Sequence, residues 1–337
     1  MRPFPKAIAL AALLLAAPMA RAETVTQFTS FWSLGDSLSD PGNLYAATGG
    51  TRPASPPYWQ GRFSNGPVWA EHVAGTFAAK GLATGNFAFG GARAIGNGAE
   101  DQIPDLADQI GLFAGASAGH LGARPVVSMW IGNNDLIFNG IPSRHAVSVG
   151  RQAARAVGDG ALALRGLGVR DVALFTMPDL GQTPLYALAG DPAAQNRASR
   201  GSAAYNRTLA HQTDRLEKAG MNVITIDTAA LFRALLADPE KFGVANATVP
   251  CLAPGRPACS AEQAMQLAFF DPVHPNAVIH GEIAAVAGGK IAPVPLPAPA
   301  LLLLGALAGL GLAARHRPAP GRDGTAATLA AAAPALR

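Results

Sequence analysis

Apolar residues in this chain gather in short unbroken runs that stop abruptly at polar turns. Phe31-Trp32-Ser33-Leu34 ends in Gly35-Asp36-Ser37, followed by Leu38-Ser39-Asp40 and Pro41-Gly42-Asn43. A run of that length bounded by turn residues predicts a buried strand, with a serine on the turn leaving its carboxyl end. Residues 125–131 repeat the pattern and end in Gly132-Asn133-Asn134-Asp135. Residues 84–89, 169–176 and 222–226 supply three more strands. Between them, apolar groups recur at helical spacing over 67–79, 104–114, 144–167, 198–219, 228–236 and 277–287.

Strands alternating with helices call for a parallel sheet covered on both faces. In such sheets ligands bind just outside the carboxyl ends of the strands. Residues 41–75 form a turn-rich excursion broken by Pro53, Pro56, Pro57, Gly61 and Gly66. It carries Tyr58, Trp59, Phe63 and Trp69, and a loop leaving the first strand is a natural pocket wall. Its aromatic residues can bind a lipid tail, stack on sugar rings or form the loop's own small core. Residues 237–266 read as irregular.

The two ends of the 337-residue chain differ from the middle. Residues 1–22 carry Arg2 and Lys6, an apolar run over 7–17 and the small-residue site Ala20-Arg21-Ala22. This reads as a secretory signal peptide cut after Ala22. Its apolar run falls short of the roughly 20 residues that span a bilayer. Residues 291–299 form a proline-rich linker. Residues 300–317 form an uncharged stretch closed by Arg315 and Arg317, near the lower limit of a spanning helix, with the arginines cytoplasmic and the rest of the chain outside. Residues 318–337 read as a disordered Ala-rich tail. One α/β domain over 23–290 remains.

The formal charge of +4 misleads about that domain. Seven of the 26 Lys and Arg lie at or before Arg21 or at or after Arg315, as does one of the 22 Asp and Glu, leaving 19 basic against 21 acidic residues, a net of −2. Nothing here favours nucleic acid. Cys251 and Cys259 frame a Pro- and Gly-containing segment. In an exported chain the pair reads as a disulfide pinning a loop, and further metal ligands nearby are lacking.

Candidate chemistry falls at strand ends and in the last loop. Acyl transfer from an ester needs a nucleophile, a base, a group to orient the base and donors for the oxyanion. Ser37 can be the nucleophile and His274 the base, since imidazole titrates near neutral pH. Asp271, three residues before His274 on a proline-stiffened loop, can hold the ring in the right tautomer. The backbone N–H groups of Ser37 and Gly90, with the Asn134 amide, can serve as oxyanion donors. Gly91 is adjacent and can take the Gly90 position. Taken singly, each group has a plainer reading as a cap or turn residue. Together, in this order, they require several coincidences. His72, His120, His145, His211 and His280 lack a partnered acid motif and read as surface or structural.

Gly35-Asp36-Ser37-Leu38-Ser39-Asp40, Asn86-Phe87-Ala88-Phe89-Gly90-Gly91-Ala92, Gly132-Asn133-Asn134-Asp135 and Asp271-Pro272-Val273-His274 resemble, in order, the blocks of the SGNH/GDSL hydrolase family. Gly61-Arg62-Phe63-Ser64-Asn65-Gly66-Pro67 and Pro178-Asp179-Leu180-Gly181 are similar to further segments of its lipase/esterase branch. The resemblance implies a flavodoxin-like three-layer α/β/α fold with a five-stranded parallel sheet. It also implies ester hydrolysis through an acyl-enzyme, with no metal or other cofactor. It assigns Ser37 as nucleophile and first oxyanion donor, Gly90 as second donor and Asn134 as third, His274 as base and Asp271 as its orienter.

Val294-Pro295-Leu296-Pro297-Ala298, with the apolar stretch and basic end after it, resembles the VPLPA variant of PEP-CTERM sorting signals. That implies an exosortase-type sorting enzyme as partner and export to the surface or matrix. Such signals usually end soon after the basic cluster, whereas this chain continues to Arg337. The expectation is an exported serine esterase or lipase, with phospholipids or O-acetylated polysaccharides as alternative substrates. The alternative from another class is a surface-anchored binding protein with a vestigial hydrolase site.

Overall fold

The computed structural model describes residues 28–96, 101–255 and 257–291. The expected signal peptide 1–22, residues 292–299 of the expected linker 291–299, the segment 300–317 and the tail 318–337 lie outside the described residues, while Ile291 ends the closing helix. Among those described, no helix is long and apolar enough to cross a membrane.

Five parallel strands form one sheet: β1 (Ser30–Gly35), β2 (Ala83–Asn86), β3 (Pro125–Trp130), β4 (Asp171–Phe175) and β5 (Asn222–Ile226), in the order β2-β1-β3-β4-β5. The longer helices are α1 (Trp69–Ala78), α2 (Leu106–Ser117), α3 (Ala146–Gly166), α4 (Pro192–Lys218), α5 (Thr228–Ala237) and α6 (Ala277–Ile291). β1, β3 and β4 are buried along their whole length, so their sequences read as continuous apolar runs.

Alternate strand residues feed two separate cores. Trp32, Leu34, Val127, Met129, Val172 and Leu174 pack with α2, α3 and α4. Phe31, Val126, Trp130, Ala173 and Phe175 pack with α1, α5 and α6. This is the expected three-layer α/β/α arrangement. The direction of winding reverses between β1 and β3, where a crevice opens at the carboxyl edge.

Three local readings change. The second strand stops at Asn86 instead of continuing to Phe89. There the Asn86 side chain takes the Ala88 N–H at 2.9 Å and donates to the Ser39 carbonyl at 2.8 Å, bending the chain towards the β1 turn. α4 starts at Pro192, not at 198, because Asp191 caps it by accepting from the Ala193 and Ala194 N–H groups. The stretch over 237–266 is not irregular. It holds a 3-10 turn (Pro239–Phe242), strand β6 (Asn246–Pro250) and a short helix (Ala261–Gln266). β6 pairs in parallel with β7 (Leu267–Phe269), and the Cys251–Cys259 disulfide lies in the connection. β7 delivers the chain directly to Asp271.

Candidate active site

The turn after β1 is held from several sides. The Asp36 N–H donates to the Trp130 carbonyl and the Ser39 N–H to the Asp36 carbonyl. Asp36 Oδ1 accepts from the Leu38 N–H at 3.0 Å, and its Oδ2 from Asn133 Nδ2 at 3.1 Å. Gly35 is required where the strand meets the turn, because a Cβ there would lie 2.7 Å from the Trp130 carbonyl oxygen. Ser37 is left at the carboxyl edge of the sheet, 7% exposed.

Ser37, His274 and Asp271 form one hydrogen-bonded chain. His274 Nε2 lies 2.7 Å from Ser37 Oγ, and Nδ1 lies 2.6 Å from Asp271 Oδ2. With the carboxylate ionised, Nδ1 carries the proton and Nε2 faces the serine hydroxyl as an acceptor. The Val273 and His274 N–H groups donate to Asp271 Oδ1. Tyr58 Oη donates to Oδ2 at 2.6 Å. Burial pushes the Asp271 carboxyl up, but the His274 charge and hydrogen bonds from His274, Tyr58 and Val273 outweigh it and hold the group below its ordinary value.

The Gly132–Asp135 block serves both sides of the crevice. Asn133 holds Asp36, as above. Asn134 gives one amide hydrogen to the Ala92 carbonyl at 2.9 Å, which leaves its second available. Asp135 accepts from the Ala94 and Ile95 N–H groups and ties down the segment after Gly91. Burial raises both the Asp36 and Asp135 carboxyls to about 6.

Gly90 sits differently from its expected role. Its N–H donates to Asp40 Oδ2 at 2.8 Å. The same carboxylate accepts from the Gly42, Asn43 and Leu44 N–H groups. Among the described residues, the Ser37 and Gly91 N–H groups meet no acceptor. Gly91 has φ +88°, the left-handed region that glycine adopts without strain.

Ser37, His274, Gly90, Gly91 and Asn134 line a common cavity of about 370 Å³. Its remaining walls are mainly apolar, including Leu38, Leu44, Phe63, Ile137, Leu185 and Val273. Pro178, Thr183, Phe232 and Phe269 also line a second cavity of about 440 Å³. Arg52 is the one Lys or Arg among the lining residues of the first. Among the described residues, no three His, Cys, Asp or Glu side chains gather as a metal site. Of the other described histidines, His280 is buried and accepts the Trp69 N–H, and His72, His120, His145 and His211 are exposed. Tyr58, Asp40 and Asn133 were not singled out by sequence. Asp40 and Asn133 lay inside recognised blocks, whereas Tyr58 carried no local signal of a partner 213 residues away.

Comparison with known proteins gives the family. The GDSL-like lipase/acylhydrolase family profile matches residues 33–286. Phosphatidylcholine-sterol acyltransferase of Aeromonas hydrophila is 31% identical over 244 residues, 71% of this chain and 70% of that one. Thermolabile hemolysin of Vibrio parahaemolyticus is 28% identical over 276 residues, 77% of this chain and 62% of that one. An acetylxylan esterase from Geobacillus stearothermophilus superposes with a TM-score of 0.42 at 16% identity, covering 80% of this chain and 96% of that one. That last likeness adds nothing to what the strand order already fixes. The chain belongs to the GDSL-like lipase/acylhydrolase family and is an ester-acting hydrolase.

Proposed function

We propose that the protein is an exported serine esterase or lipase that cleaves carboxylic esters of apolar acyl groups through an acyl-enzyme. The observation that carries the reading is the unbroken relay from Ser37 Oγ to His274 at 2.7 Å and from His274 to Asp271 at 2.6 Å. Ser37 Oγ attacks the ester carbonyl while His274 Nε2 takes its proton. Asp271 keeps the ring oriented and balances the imidazolium. His274 then gives the proton to the departing alcohol, and water repeats the sequence to release the acid.

The developing oxyanion receives the Ser37 N–H, the free hydrogen of the Asn134 amide and the Gly91 N–H. Gly91 is assigned in place of Gly90 because Asp40 already holds the Gly90 N–H. The apolar walls of the 370 Å³ cavity, and the further cavity that shares four of its residues, favour a fatty acyl group over acetyl.

A second reading has one observation behind it. Arg52 lines the cavity and suits an anionic substrate such as a phospholipid. The names of the Aeromonas and Vibrio relatives point in the same direction. A complete relay disfavours a binding protein with a vestigial site. Export rests on the signal peptide at 1–22 and is supported by the Cys251–Cys259 disulfide. The VPLPA-type segment within 294–317 is assigned to an exosortase-type partner.

The test is hydrolysis of p-nitrophenyl esters of increasing chain length by the full chain, beside Ser37→Ala. The expected result is an optimum above acetyl and loss of the rate in the variant. An undiminished rate in Ser37→Ala overturns the assignment.

A further inference from the structure

The aromatic excursion that leaves β1 reaches the acid of the relay. Tyr58 Oη donates to Asp271 Oδ2 at 2.6 Å, the same oxygen that accepts from His274 Nδ1. Oδ1 accepts from the Val273 and His274 N–H groups at 2.9 and 2.8 Å. The carboxylate therefore has two donors on each oxygen. Three of the four come from its own loop, two of them from His274. Tyr58 alone comes from a distant part of the chain.

The tyrosine is itself held in place. Its ring stands edge-on to Phe63 at 5.8 Å and to Phe270 at 5.4 Å between centroids. Phe63 in turn lies 5.0 Å from the His274 ring. Tyr58, like Cys259, packs on the buried cluster of Cys251, Ala264 and Phe270. The Cys251 and Leu252 N–H groups donate to the Phe269 and Phe270 carbonyls, immediately before Asp271. The disulfide loop thus supports Tyr58 and the Asp271 backbone together. Burial and the adjoining carboxylate push the phenol ionisation well above its ordinary value, so the hydroxyl remains a donor across the working pH range.

We propose that Tyr58 is a positioning residue of the ester-hydrolysing relay, fixing the rotation of the Asp271 carboxylate so that Oδ2 faces His274 Nδ1. This rests on the serine-hydrolase reading above. Without the phenol, no donor from outside the 271–274 loop, among the described residues, holds Oδ2 against rotation. The carboxylate charge that Tyr58 shares is then concentrated on the imidazolium. Asp36 and His280 also interact with the His274 charge, and Arg52 lines the same cavity; all three are retained in a change at Tyr58.

The experiment is Tyr58→Phe in the full chain, assayed on a short p-nitrophenyl ester beside wild type and Ser37→Ala. Rates are normalised to Ser37 titrated to completion with a phosphonate, which removes any unfolded fraction from kcat. Phenylalanine keeps the ring contacts with Phe63 and Phe270 and deletes only the donor. The expected result is a kcat lower by about tenfold, the scale of one net hydrogen bond, with KM unchanged. The acid limb of the kcat/KM profile moves to higher pH, a change that a purely structural role would not produce. Wild-type kcat with an unmoved acid limb overturns the proposal, and activity lost only in Ser37→Ala would then leave the serine reading standing. Activity retained in Ser37→Ala would remove both.

Discussion

The backbone N–H of Gly90 ends on Asp40 Oδ2, 2.8 Å away, and not in the cavity it borders. Asp40 is fully buried and collects the N–H groups of Gly42, Asn43, Leu44 and Gly90, two on each oxygen. It joins the turn after β1, the short helix Asn43–Ala47 and the loop after β2. Asp40→Asn puts an amide NH2 against one pair of donors. The expected cost is about 2 kcal/mol, from a charged acceptor lost and buried N–H groups left unpaired. Urea unfolding checks this, and an unchanged midpoint would show that the turn does not depend on Asp40.

Asn134 is the side-chain donor assigned to the oxyanion. Asn134→Ala is expected to lower kcat by about 10²- to 10³-fold with little change in KM, as the loss of a donor used mainly in the transition state should. Steady-state kinetics on one ester give both numbers. A change in KM alone would make Asn134 a binding residue instead.

Ile137 lies on a partly buried turn (Asp135–Gly140) and lines the apolar cavity. Ile137→Trp fills space in that cavity and leaves the three relay residues unchanged in identity. The expected outcome is a shift of the chain-length optimum to shorter esters, with about tenfold or greater loss of kcat/KM on the longest. Equal losses at every chain length would mean that the acyl group lies elsewhere.

Asp36 sets a pH dependence of stability. Its carboxyl is raised from 3.8 to about 6, chiefly by burial, so between those values the folded chain holds more protons than the unfolded one. Its contribution is therefore greatest below pH 4 and is lost as pH rises through 6. In Asp36→Asn the side-chain oxygen keeps the Leu38 N–H. The new amide faces Asn133, whose Oδ1 is buried without a partner and can turn to accept. The variant is expected to gain on wild type by roughly 2 kcal/mol between pH 4 and 7, and to level off above. Asp135 titrates over the same range and its charge supplies only a minor part of the rise at Asp36, so the difference reports chiefly Asp36. Urea unfolding at several pH values checks it, and parallel stability curves would contradict it.

The sequence revealed most where one segment carries its own signal. β1, β3 and β4 are buried on both faces, so their apolar runs stand out, and Ser37 and Asn134 follow two of them directly. His274 and Asp271 share one short loop and were legible as a pair. β7 was missed because three residues carry no periodicity. The early start of α4 was missed although Asp191-Pro192 is a recognisable start signal. Other relationships could not be read locally at all. The bond from Tyr58 to Asp271 crosses 213 residues, and the bond from Gly90 to Asp40 crosses 50. The cavity is assembled from side chains that only the folded sheet edge brings together.

The most direct measurement is covalent labelling by a serine-directed phosphonate, with the modified residue located by mass spectrometry. The expected result is stoichiometric modification of Ser37, absent in Ser37→Ala and strongly slowed in His274→Ala, with ester hydrolysis lost in step. Modification of another residue, or ester hydrolysis continuing with Ser37 replaced, would contradict the account.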